Sequence, residues 1–274
     1  MSANFQWSAA SVSGSKKPEN DDSWVVFSAG MNGCDVLSEQ GDFSLSEKDI
    51  IFAVSDGMGG GNAGYLASSL ILEHISSLIP KTFKAAAQGF NPDYLEQLVL
   101  QLEKVHEKIN AVGAGEENYK GMGATLTLAW FTPENLYVAH IGDSRLYLHR
   151  DGETTQISED HTFAGKKFQR GELSEYKFRH HPRKSALYEV IGGGHRNIHP
   201  MVAAIPYQTG DKFMLCSDGV IDGLWEKHIH AAFLENPAPE ALQQALLTRA
   251  LENDGLDDTT LITISVGDID GVTS

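Results

Sequence analysis

At 274 residues with 41% apolar side chains, the chain can bury a large core, as one big domain or two modest ones. A net charge of −16 excludes general binding to nucleic acid or anionic membrane, and no stretch approaches the roughly eighteen apolar residues of a membrane span. The two cysteines, Cys34 and Cys216, make no disulfide framework, and MSANFQWSAASVSGSKK lacks a basic segment followed by an apolar one, so the sequence reads as cytoplasmic, without a secretory signal.

Residues 4–12, 23–28 and 49–55 read as strands separated by glycine- and asparagine-rich turns. The spacing of Leu66, Leu70, Ile71, Ile75 and Leu78 predicts a helix over 62–79, ended by Pro80. A second helix over 92–111 follows from Leu95, Leu98, Leu102, Val105 and Ile109, with Asn91 and Pro92 as cap and first residue. ATLTLAWF, NLYVAHI, SRLYLHR and TTQIS are closely spaced strands joined by Pro-Glu-Asn and Asp-Gly turns. A polar, mixed segment covers 160–198. MVAAI and DKFMLCS read as strands, 225–234 and 239–252 as helices, and TTLITISV as a last strand. This order lacks the strict alternation of a parallel sheet. It points to antiparallel sheets covered by helix pairs, a layered α+β domain over 1–274 with an insertion near 160–198.

Aspartates stand where apolar runs end. IIFAVSDG stops at Asp56-Gly57 and FMLCSDG at Asp218-Gly219, while LYVAHIGDSR carries Asp143 and GLDDTTLITI carries Asp257 and Asp258. A lone strand-end Asp-Gly is ordinarily a turn. Several buried strands each delivering a carboxylate to one place need protons or cations, and hard divalent ions, Mg²⁺ or Mn²⁺, suit an all-oxygen set.

Three other motifs carry less. Gly59-Gly60-Gly61-Asn62-Ala63-Gly64 fits a dinucleotide fingerprint, but Asp56 would repel phosphate and no acid-tipped second strand follows. Asp268-Ile269-Asp270-Gly271-Val272 looks like an aspartyl-nucleophile signature with no domain after it. A cysteine nucleophile has no support, since the position six residues after Cys34 is Gln40 and after Cys216 is Asp222, neither an arginine.

GSKKPENDDSW, VSDGMGG, GMGATLTLAW, AHIGDSRLYL, RGELSEYKFRHHPRKSALYEVIGGG, LCSDGVID and GLDDTTLITI occur in the order of the metal-dependent (type 2C, PPM) serine/threonine protein phosphatases, bacterial type, which this chain resembles over residues 8–266. The resemblance implies a four-layer αββα sandwich of two antiparallel sheets flanked by helix pairs, with a flap insertion over about 160–198. It implies that Asp56 bridges two metal ions, with the Gly57 carbonyl on one of them. Asp218 and Asp257 would complete the first ion, Asp21 and Asp22 would serve the second, and Asp143 would share a third with Asp218. Lys17 stands where the family has an arginine for the phosphate; lysine offers a point charge without the bidentate fork. Asp21-Asp22 replaces a Glu-Asp pair, Met58 stands where many eukaryotic members carry a histidine, and Asp258 replaces an asparagine, a change read as minor.

The implied function is hydrolysis of phosphoserine and phosphothreonine in proteins, by water activated between two Mn²⁺ or Mg²⁺ ions and without a covalent intermediate. Catalysis would rest on Asp56, Asp218 and Lys17. The expected partners are phosphorylated proteins and a cognate serine/threonine kinase system, and the expected state is a monomer. The alternative is a silent relative that binds phosphoproteins. Between Lys166 and Lys184 lie seven of the 21 Lys and Arg, against Glu172 and Glu175, and this basic island could steer substrates. Arg179 and Arg183 are the candidate substrate contacts there; the plainer reading is a solvated helix face. An ion pair with Arg145 is the plainer reading for Asp143, and a structural or core place for His161, His140 and Cys216.

Overall fold

Runs that are apolar on both faces become central strands because each face has something to bury against. In a computed structural model that describes residues 3–17, 19–46, 48–60, 62–87 and 93–268, without the side chains of 81–87, the chain opens with β1 (Ala3–Val12), β2 (Asp22–Gly30), β3 (Gly33–Val36), β4 (Gln40–Ser44) and β5 (Asp49–Met58). Helices α1 (Ala63–Ala87) and α2 (Tyr94–Gly115) follow. Then come β6 (Gly123–Ala124), β7 (Leu126–Phe131), β8 (Leu136–Ile141), β9 (Arg145–Arg150) and β10 (Glu153–Gln156). The segment 160–198 holds α3 (Phe163–Gln169), α4 (Glu175–Arg179) and β11 (Ile191–Gly192). The chain continues with β12 (Met201–Ile205), β13 (Lys212–Cys216), α5 (Asp218–Gly223), α6 (Glu226–Glu235), α7 (Pro239–Asn253) and β14 (Thr259–Asp268).

One sheet has the order β10-β9-β13-β14-β1-β4. The other runs β12-β8-β7-β5-β2-β3, with β6 and β11 continuing along the end of β5. Neighbouring described strands are antiparallel. In β5, Phe52 and Val54 face the other sheet, where they meet Phe5, Phe213 and Ile264, with Phe131 of the neighbouring β7 beside them. Ile51 and Ala53 face α1 and α2, where they meet Ile71, Ile75, Leu98 and Leu102. On the far side, Met214, Cys216 and Leu261 pack under Val220, Phe233 and Leu246 of α5, α6 and α7. The result is the four-layer αββα sandwich.

The structure moves some boundaries. Helix α1 does not end before Pro80 but carries it inside, because Ile75 and Ile79, both fully buried, keep this stretch seated on the sheet across the hydrogen bond that proline forfeits. Asn91 and Pro92 lie outside the described residues; α2 is capped by Asp93, whose carboxylate accepts from Leu95 N at 2.9 Å and Glu96 N at 3.3 Å. Gly61 and residues 269–272 of the two weaker motifs also lie outside the described residues.

Candidate metal centre

Strand ends from both sheets bring the aspartates together. Asp22 of β2 stands opposite Asp56 of β5 in the register, Asp218 opens α5 directly after β13, Asp143 lies in the turn between β8 and β9, and Asp257 precedes β14. The charges felt by Asp56 are those of Asp22, Asp218, Asp143 and Asp257. Glycine is required beside Asp56: a Cβ on Gly57 would lie 2.1 Å from the Gly64 carbonyl oxygen and 2.6 Å from that of Asp21. Gly142, with φ of +111°, makes the turn that presents Asp143, and a Cβ there would lie 2.5 Å from Thr125 Cβ.

Buried polar groups hold these loops in place. Thr125 Oγ1 accepts from Asp56 N at 2.9 Å and meets Ser144 Oγ at 2.7 Å. His140 Nε2 lies 3.1 Å from the Gly142 carbonyl and 2.9 Å from that of Glu159, so it carries the hydrogen and Nδ1 accepts from Thr127 Oγ1 at 2.9 Å. Burial, with His161 nearby, pushes the His140 pKa down to about 4 and keeps the ring neutral. His161 Nδ1 accepts from Gly142 N at 3.2 Å. Both histidines are therefore structural. Asp258, 2% exposed, accepts from Gly14 N through Oδ1 and from Asp21 N through Oδ2, each at 2.8 Å. Ser217 Oγ donates to Asp22 Oδ2 at 2.7 Å. Ser217 escaped the sequence reading and Asp258 entered it only as a minor change, because nothing local marks a residue whose partners lie some two hundred positions away.

The cluster is electrostatically crowded. Burial, then Asp22, Asp218 and Asp143, holds Asp56 well above the carboxylate range; burial, then Asp218 and Asp160, does the same to Asp143. Asp22 is pushed to about 7 by burial, against hydrogen bonds from Ser217 and Thr260. Asp218 also reaches about 7, through burial and then Asp222 and Asp257, against a hydrogen bond from Asp56. Among the described residues, no three Asp, Glu, His or Cys side chains enclose an ion as they stand. The donor set nevertheless fits hard divalent ions. Among the described residues no partner reaches the buried Asp22 Oδ1, and like charges gather that only cations or protons can offset.

Of the acidic pair, Asp22 joins the cluster. Asp21 turns instead to the start of α1, where Oδ1 accepts from Tyr65 N at 3.0 Å. Lys17 does reach the acids: Nζ lies 3.2 Å from Asp257 Oδ1, 3.5 Å from Asp21 Oδ2 and 3.9 Å from Asp258 Oδ2. Burial opposes its charge, but these carboxylates outweigh burial and raise its pKa above the usual lysine value. Asp143 makes no ion pair with Arg145, whose guanidinium grips Asp160 at 2.7 and 2.9 Å and Glu226 at 2.7 Å. Arg179 corrects the sequence reading more sharply. Its guanidinium bonds Glu175 and the carbonyls of Asp222 and Leu224 and lies 4.9 Å over the Trp225 ring, so it anchors the flap and is not free for substrate. Arg183 is exposed. The flap cation beside the cluster is Lys184, which holds both oxygens of Asp222 at 2.6 and 2.7 Å, one turn beyond Asp218.

A family model for protein phosphatase 2C matches residues 38–252. The serine/threonine protein phosphatase PstP of Mycobacterium tuberculosis is 33% identical over 222 residues, 80% of this chain and 41% of that protein. The chain thus spans about two-fifths of that relative's length. The serine/threonine phosphatase stp of Listeria innocua is 28% identical over 225 residues, 82% of this chain and 87% of the relative. Among solved structures, the catalytic domain of PstP in complex with 2 manganese ions superposes with a TM-score of 0.74 at 28% identity, covering 97% of this chain and 100% of that one. Stp1 from Staphylococcus aureus, at 21% identity and a TM-score of 0.77, shares the fold, covering 96% of this chain and 95% of that one.

Proposed function

The chain belongs to the protein phosphatase 2C family, and on that premise we propose that it hydrolyses phosphoserine and phosphothreonine in proteins with Mn²⁺ or Mg²⁺. The observation that carries this reading is the meeting of Asp22, Asp56, Asp143, Asp218 and Asp257 at one end of the sandwich, with one Asp22 oxygen buried and unpartnered among the described residues. Two ions would be held by Asp56, the Gly57 carbonyl, Asp218, Asp257 and Asp22, with Asp21 farther out and Asp143 beside Asp218 for a third. When bound, such ions supply Lewis acidity that lowers the pKa of water and offsets phosphoryl charge.

The chain's own groups do the rest. Burial and the charges of their neighbours favour the protonated forms of Asp56 and Asp218, which would lose protons to serve as ligands. Thr125, Ser144, His140 and Asp258 fix the loops, so the carboxylates need little rearrangement. Lys17 and Arg183 are the cations offered to phosphate.

A silent binder of phosphoproteins has one observation in its favour, namely that the Lys17 ammonium already lies against three carboxylates. Phosphate release from an aryl phosphate and from a phosphothreonine peptide, with Mn²⁺ and with EDTA, decides between them. Release that requires Mn²⁺ and falls more than about a hundredfold in Asp218→Asn supports the enzyme, since that loss exceeds what an outer group would cost. No release in either condition favours the binder. The reading extends to a cytoplasmic monomer opposing a cognate serine/threonine kinase; the free thiols Cys34 and Cys216 suit a reducing compartment.

A further inference from the structure

The flap sets a sign of charge against the rest of the molecule. Residues 160–198 carry eight of the 21 Lys and Arg but four of the 37 Asp and Glu, in a chain of net charge −16. Three of those four acids are spent internally: Asp160 on Arg145, Glu175 on Arg179 and the Glu226 amide, Glu189 on His199. Glu172 alone is exposed and outside any ion pair among the described residues. The cations divide the other way. Arg179 and Lys184 are bonded to the body of the protein. Lys166, Lys167, Arg170, Lys177, Arg183 and Arg196 are exposed, and none of them enters an ion pair among the described residues.

This bare positive face is fastened beside the carboxylate cluster. His161 and Gly142 exchange hydrogen bonds, Thr162 bridges Leu187, and Lys184 ties to Asp222 next to Asp218. Phe163, 54% exposed, stands among the cations, and Lys166 Nζ lies 5.7 Å over the Tyr188 ring. An acidic protein gains nothing in solubility from such an island, whereas a negatively charged partner segment gains both steering and docking. We infer that Lys166, Lys167 and Arg170 on the flap select phosphoprotein segments in which acidic residues flank the phosphorylated one. The inference rests on the phosphatase reading above and names its substrate class.

The experiment compares kcat/KM for two phosphothreonine peptides, one flanked by Glu and Asp, the other by Gln and Asn, alongside an aryl phosphate. In wild type the acidic peptide is expected to be favoured about tenfold near 50 mM salt, through KM, with the advantage fading at high salt. The triple variant Lys166→Gln, Lys167→Gln, Arg170→Gln should bring the ratio to within about twofold, with aryl phosphate turnover unchanged. Glu172→Lys should enlarge the ratio. Equal treatment of both peptides by wild type, or a preference that survives in the triple variant, overturns the inference while aryl phosphate turnover keeps the phosphatase reading. If neither protein releases phosphate, that reading fails. Anisotropy of a labelled acidic peptide then decides the surface: weaker binding to the triple variant than to wild type supports it, and equal binding overturns it.

Discussion

A carboxylate has two oxygens, and Asp258 uses both to join loops from opposite ends of the chain, one on Gly14 N and the other on Asp21 N. An amide cannot do this, because its nitrogen would face an N–H. Asp258→Asn is therefore expected to cost about 1–3 kcal/mol in chemical unfolding and to weaken Mn²⁺ binding about 10–100-fold. Aryl phosphate kcat should recover at saturating metal; a variant as stable as wild type would contradict the geometry. The sequence suggested a minor change here, since the identity of one residue says nothing about how many donors converge on it. Lys17 makes the opposite kind of test. Its ammonium competes for Asp257 and Asp21, so Lys17→Gln should tighten Mn²⁺ binding in a calorimetric titration while raising KM for aryl phosphate several-fold. Unchanged metal affinity would show that the ion pairs do not compete with the ions.

Among the elements, β5 carries most of the architecture, and its first residue carries a penalty. Burial pushes the Asp49 carboxyl up to about 6 from 3.8, against a hydrogen bond from Trp130 Nε1 at 2.8 Å. Between these two values the folded state holds the proton that the unfolded chain has lost. Stability from this group is thus present at low pH and falls as pH rises from about 4 to about 6, by on the order of 2–3 kcal/mol. Asp49→Asn, which keeps an acceptor for Trp130, should melt higher than wild type at pH 8 and no higher at pH 4. The long buried strands and both long helices were legible because their apolar spacing is locally complete. The edge strands β3 and β4 were not, since their residues are mostly exposed and polar. Helix α5 was too short to show a period. Arg179 was misread for another reason: its partners Asp222, Leu224 and Trp225 are more than forty positions away, and only the fold brings them near.

For the molecule as a whole, ion binding and folding are one equilibrium. On the proposed ligand set, Asp22 and Asp218, both near 7, would shed protons to coordinate, so Mn²⁺ affinity should rise as pH increases through about 7. Calorimetry in two buffers of different ionisation heat should reveal protons released on binding. At a hundredfold excess over Kd, each ion should stabilise the fold by about 2.7 kcal/mol, visible as a higher Tm that EDTA reverses. Strands β1 and β14 bear on how the molecule reaches this state, for they pair along ten residues each, from Ala3 with Asp268 to Val12 with Thr259. Strand β1 cannot pair with this neighbour until roughly 250 further residues have been made, and Asp257 arrives with that neighbour. Such distant pairing is slow to form. A chain synthesised only as far as β13 therefore holds Asp22, Asp56 and Asp143 without Asp257, and the carboxylate cluster closes only when β14 joins β1.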